Sequence, residues 1–186
     1  MTQKARRLTA ADVRSILILL ETPRDRALFA LGLYAGLAVS EIIQLTQDAV
    51  FVDSDRVREI VTVTRRRGST PRSCDIPIHQ KLREILREHR KTLPPGHWLL
   101  PSRWEPNQHI SRQQAHKVLT KAFRELKRDD ARTHSMRRTF LMTLLASDVP
   151  SAAVQAMSGL VSLDNLGHYL ETHPSDKKRA ILQLPY

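Results

Sequence analysis

The chain has 186 residues, 41% of them hydrophobic, a single cysteine, and 30 basic against 19 acidic side chains for a formal charge of +11. That length and apolar content suit one globular domain over residues 1–186 with a core of its own, and the lone Cys74 excludes an intrachain disulfide framework. No apolar run is long enough to span a bilayer and no basic amphipathic helix carries an aromatic apolar face, so a pI near 10.5 points to nucleic acid rather than a membrane.

The basic start, Met1 to Arg7, is not followed by the apolar segment that a signal peptide needs, which makes the cytoplasm the expected location. Thr9-Ala10-Ala11-Asp12 has the form of a capping box, and Val13, Ile16, Leu17 and Leu20 then recur at helical spacing. Thr22 and Pro23 supply an N-cap and an N1 proline for a second helix through the apolar run 27–33, which Gly36 ends. A short third helix runs from Ser40-Glu41 to Leu45. The pattern then turns β-rich at Val50-Phe51-Val52, at 56–64 and at 73–78, with turns at Asp53-Ser54-Asp55 and Gly68-Ser69-Thr70-Pro71. This predicts a small antiparallel sheet of three strands, with Cys74 as a small buried hydrophobe in the last. The second turn carries Arg65, Arg66, Arg67 and Arg72. They form either a solvated loop or one laid on phosphates, and the basicity of the chain favours the phosphates.

Helical spacing returns at Leu82, Ile85 and Leu86 until Pro94-Pro95-Gly96 interrupts it. Ser111-Arg112-Gln113-Gln114 is a second capping box, opening a helix with an apolar stripe of Ala115, Val118, Leu119, Ala122, Phe123 and Leu126. Its other side bears His116, Lys117, Lys121, Arg124, Lys127 and Arg128, a solvated face that is also a candidate for DNA contact. The helix of His134 follows, with Phe140, Leu144 and Leu145 toward the core, then a helix from Ser151, one or two short helices and the basic tail Lys177-Lys178-Arg179. The predicted class is α+β and mainly helical, without internal repeats.

The chemistry concentrates near the end. His134 and Arg137, three residues apart, share one face of a helix, so both can address one phosphate while the hydroxyl of Tyr169 approaches from a separate element. A cation, a proton-handling ring and a nucleophile are the minimum for attack on a phosphodiester. H-x-x-R alone is weak in so basic a chain and draws its weight from its context. No H-E-x-x-H or Cys/His cluster indicates a metal site, and the lack of a Cys-x5-Arg loop or Gly-rich cradle disfavours a phosphatase-like enzyme.

Five stretches in order, across nearly the whole chain, resemble the catalytic domain of the tyrosine recombinase (phage integrase) family. Gly36-Leu37-Ala38-Val39-Ser40-Glu41-Ile42-Ile43-Gln44-Leu45 is similar to its G-L-R-x-S-E-L-x-x-L motif, and Trp98-Leu99-Leu100-Pro101-Ser102-Arg103 to its F-P-S-R segment. Ile110-Ser111-Arg112-Gln113 resembles the start of the next helix. His134-Ser135-Met136-Arg137-Arg138-Thr139-Phe140 resembles the H-x-L-R-H-T-F motif, and Met157-Ser158-Gly159-Leu160 through Tyr169 the L-G-H box and nucleophile. The resemblance implies a 3′-phosphotyrosyl link to DNA without metal or cofactor, Tyr169 as nucleophile, Arg137 as clamp on the non-bridging oxygens and His134 as proton-handling group. It also implies a homo-oligomer on DNA or a partner recombinase, and the family's N-terminal clamp domain is missing from this sequence.

The departures carry equal weight. The family's first arginine falls on Ala38 and its second histidine on Leu160. The lysine of the sheet turn has only arginines near it, Arg66 or Arg67, and a guanidinium is a poor proton donor at neutral pH. By analogy with other phosphoryl transfers, one missing transition-state arginine costs roughly 10³ to 10⁵ in rate, about 4 to 7 kcal/mol. The sequence therefore leaves two readings: an impaired recombinase, with His168 or Arg138 as candidate stand-ins, and a pseudo-recombinase that binds DNA or a partner without cutting.

Overall fold

The computed structural model describes residues 6–53, 56–67, 70–105, 107–147 and 149–159, and the side chains of residues 66, 67 and 70 lie outside that description. Leu160, His168, Tyr169, the predicted last helices and the basic tail lie outside it as well.

Local signals start the first helices where the sequence puts them. Thr9 caps α1 (Ala10–Leu19) in a full capping box with Asp12, and Thr22 with Pro23 opens α2 (Pro23–Tyr34). Every residue from Ala27 to Leu33 is buried, so α2 is apolar all round and runs through the middle of the domain. It packs against α5 (Gln80–Thr92) and α7 (Thr133–Leu145), and touches α3 (Val39–Ile42) and α6 (Arg112–Glu125). The capping box of Ser111 with Gln114 starts α6, which seats Ala115, Leu119, Ala122 and Phe123 in the core. Deleting a ring such as that of Phe123 would cost about 3–5 kcal/mol.

The described sheet has two strands and not three. β1 (Ile60–Arg67) pairs antiparallel with β2 (Thr70–Pro77) in a register that sets Val63 opposite Cys74 and Arg65 opposite Arg72. The expected first strand at Val50-Phe51-Val52 is instead the end of α4 (Gln47–Val50) and a single bridge, Phe51 to Val57. The Thr46 side chain caps this helix by accepting from the Ala49 N–H. The Gln47 amide donates to the carbonyls of Pro94 and Trp98 and accepts from Arg90, which anchors a helical turn where β-branched residues alone suggest extended chain.

Residues Phe140, Leu144, Leu145 and Val149 join Leu141 and Val154 in a smaller cluster, by which α7 holds α8 (Ser151–Ser158); α8 also lies against β2. Gly36, just past α2, is at φ +62° with the Phe140 ring pressed against it. The core is thus a helical body with a hairpin on one flank, and α3, β1, α7 and the end of α8 converge beside it.

Candidate phosphate-binding site

That convergence encloses a cavity of about 890 Å³ lined by Ala38, Ser40, Glu41, Arg65, His134, Arg137 and Gly159, among others. Helix α7 puts His134 and Arg137 on one face, as their spacing requires, while the buried Arg138, one residue on, is not part of the lining. Ala38 is the N-cap of α3. Its methyl offers no donor to the cavity, and its backbone N–H is taken by Glu41 Oε2 at 2.8 Å.

Glu41 organises the floor. Its Oε1 accepts from Arg65 Nε at 2.8 Å, and its Oε2 from Arg65 Nη2 at 3.2 Å and from Arg137 Nη1 at 3.5 Å. Both arginines also bind backbone carbonyls. Arg65 Nη1 donates to Met157 at 2.9 Å, Arg137 Nη1 to Gly36 at 2.9 Å, and Arg137 Nη2 to Ser158 at 2.8 Å. The carbonyls of Met157 and Ser158 belong to the last turn of α8, whose acceptors have no partner within the helix, so two guanidinium groups cap that helix end. Gly159 follows at φ +62°, where a Cβ would fall 2.6 Å from Arg65 Cδ and 3.1 Å from Cys74 Sγ. Glycine is what lets α8 end directly on the hairpin.

Arg65 corrects one reading of the sequence. Proximity in sequence puts it with the arginines of the turn, yet it is buried and bound to Glu41, because β1 continues to Arg67. Its side chain follows the inward phase of Val61 and Val63, a period-2 signal that is present in the sequence. Arg72, opposite it on β2, is exposed. Arg66 and Arg67 also belong to β1, and their side chains lie outside the described residues. Glu41, to which motif reading gives no role, is the carboxylate that both arginines share. Removing one partner from its ion pair with Arg65, whose side chain is only 8% exposed, would cost about 3–5 kcal/mol.

A second groove, of about 1160 Å³, meets the first at Ala38, Ser40 and His134. It is lined by Arg112, His116, Lys117 and Arg132, so the N-terminal turns of α6 and α7 both open toward it. Arg112, Lys117 and Lys121 are exposed, and Lys121 makes a solvent-facing pair with Glu125 at 3.8 Å. Among the described residues no His/Cys/Asp/Glu cluster could hold a metal, and no helix is long and apolar enough to cross a membrane.

A mainly helical body with a small antiparallel hairpin is the fold of tyrosine recombinase catalytic domains. The chain belongs to the phage integrase family, which it matches over residues 6–176. It is 31% identical over 138 residues to a Sinorhizobium fredii protein provisionally designated integrase/recombinase y4qK, an alignment covering 73% of this chain and 42% of that one. The Tn1549 transposon integrase, solved in complex with circular intermediate DNA, shares the fold with a TM-score of 0.76 at 16% identity, over 98% of this chain and 66% of that chain. XerA recombinase does so with 0.77 at 15% identity, over 97% and 65%. The chain thus spans between two fifths and two thirds of the length of these relatives.

Proposed function

We propose that this protein binds duplex DNA along the groove of Arg112 and Lys117 and the adjoining face of Lys121, and attacks a phosphodiester held at Arg137 through Tyr169, forming a 3′-phosphotyrosyl intermediate. The observation that carries the reading is that His134 and Arg137 line one cavity that opens into a basic groove. A duplex laid in the groove would bring its backbone over that cavity, and Arg66, Arg67 and Arg72 on the hairpin would meet the flanking phosphates. In this reading Arg137 binds the non-bridging oxygens and His134 hydrogen-bonds or moves a proton at the attacked phosphate. The Tyr169 oxygen forms the new bond to phosphorus, and the 5′ oxygen leaves as a hydroxyl. A second strand's 5′-hydroxyl reverses the step, so no external energy source is needed. The DNA-bound state is a homo-oligomer or a complex with a partner recombinase, in the cytoplasm.

Ala38 favours a second reading. With a methyl where the family places a guanidinium, and Leu160 where it places a histidine, transition-state charge is poorly met, which suits a DNA-binding protein that does not cut. Trapping separates the two. The protein is incubated with a pool of nicked duplexes of randomised sequence and resolved on a denaturing gel. A slow covalent adduct that Tyr169→Phe abolishes supports the recombinase, and duplex binding without any adduct supports the second reading.

A further inference from the structure

We propose that Arg65 is a positioning residue of the phosphate site: by holding Glu41 and the Met157 carbonyl, it keeps Arg137 available to the phosphate and fixes the turn from which the chain leaves α8 toward Tyr169. The proposal rests on the recombinase reading above.

Glu41 and Arg137 are close enough to form a full ion pair. Their contact is a long one, 3.5 Å, while Arg65 engages both carboxylate oxygens at 2.8 and 3.2 Å. The planar fork of Arg65 thus satisfies the carboxylate from β1, and among the described residues the shorter contacts of Arg137 go to two neutral carbonyls. A neutral carbonyl competes with a phosphate for a guanidinium far less than a carboxylate does. If Arg65 were absent, the nearest cation to Glu41 would be Arg137, and the trio's single net positive charge would fall to zero.

The same guanidinium also sets geometry. Arg65 Nη1 and Arg137 Nη2 take the carbonyls of successive residues, Met157 and Ser158, so the last turn of α8 is stapled to β1 and to α7 together. Gly159 then turns the chain against Arg65 Cδ. No other described cation combines these contacts, and Arg65 reaches them only because it falls on the inward phase of β1.

The test measures adduct formation on the randomised nicked duplexes, binding of intact duplex, and backbone amide exchange at Met157, Ser158 and Gly159. Arg65→Gln is expected to slow adduct formation about a hundredfold, the scale of a misplacement near 1 Å, and to speed exchange at those amides while intact duplex binds as before. Adding Glu41→Gln to Arg65→Gln should recover part of the rate, because no carboxylate remains to draw Arg137 away. A merely structural ion pair predicts instead that binding and adduct formation fall together with the folded fraction and that the second change rescues nothing, which would overturn the proposal. Should Arg65→Gln fail to fold, Arg65→Lys keeps the charge without the fork, and parent-like rate and exchange in that variant would overturn it equally. If the parent itself forms no adduct, the recombinase reading fails, and unchanged exchange at α8 in the variants would then sink the staple on its own.

Discussion

Replacing Gly36 by alanine should destabilise the domain and disturb the site at once. Gly36 sits at φ +62°, a conformation that costs an L-residue roughly 1–2 kcal/mol. A Cβ added there would lie 2.7 Å from Phe140 Cε1 and 3.0 Å from Cγ, so the ring must move, and overpacking of this kind costs about 1–3 kcal/mol. The two together give roughly 2–5 kcal/mol, a large share of the ~5–15 kcal/mol that keeps a domain folded. Urea unfolding reads this as a lower midpoint at unchanged slope. The clash part is separable: Phe140→Leu removes the ring edge, so the double variant should be less destabilised than the sum of the single ones. Because the Gly36 carbonyl accepts from Arg137 Nη1 at 2.9 Å, the variant should also cleave more slowly than its folded fraction explains. A loss below about 0.5 kcal/mol, within the range of ordinary surface changes, or strict additivity with Phe140→Leu, would refute the reasoning.

Other consequences follow from charge. Duplex binding should weaken steeply with salt, and Arg112→Ala and Lys117→Ala should each lower the slope of log K against log salt by about 0.9; slopes that do not change would mean the groove is not the DNA face. Ala38→Arg puts a guanidinium at the lip shared by both cavities and should speed adduct formation, up to a ceiling of roughly 10³–10⁵-fold that the change at Leu160 keeps out of reach. A rate that does not rise would show that another residue already supplies this charge. Burial holds the pKa of His89 below the ordinary histidine value, and its Nε2 donates to the Leu99 carbonyl at 2.7 Å while Nδ1 has no partner among the described residues. The unfolded chain takes up that proton first, so stability is whole above about pH 6.5 and declines below it by at most about 1.4 kcal/mol per pH unit from this group. His89→Gln keeps a donor for Leu99 and should flatten that part of the urea-midpoint profile; an unaltered profile would clear His89.

Those parts of the fold that depend on neighbours in sequence were legible there. Thr9 with Asp12, Thr22 with Pro23, and Ser111 with Gln114 each fix a helix start within four residues, and the shared face of His134 and Arg137 follows from helical geometry alone. Val50-Phe51-Val52 misled because β-branched and aromatic residues suit a strand equally well, and the hydrogen bonds of Gln47 that hold the helix come from residues about fifty positions away. Arg65 misled for another reason. It lies in a run of arginines beside the turn, yet the alternation of Val61, Val63 and Arg65 places it inward. The ion cluster itself joins residues 24, 92 and 96 positions apart, and no local pattern announces contacts of that span.

The central claim is that the cavity of His134 and Arg137 directs Tyr169 at a DNA phosphodiester. Mass spectrometry of the proteolysed covalent complex, formed on nicked duplex by the parent and by Arg137→Ala, tests it most directly. The account predicts nucleotide mass on the peptide that carries Tyr169 in the parent, and none or far less in Arg137→Ala. Nucleotide on any other residue, or an equal yield without Arg137, would contradict it.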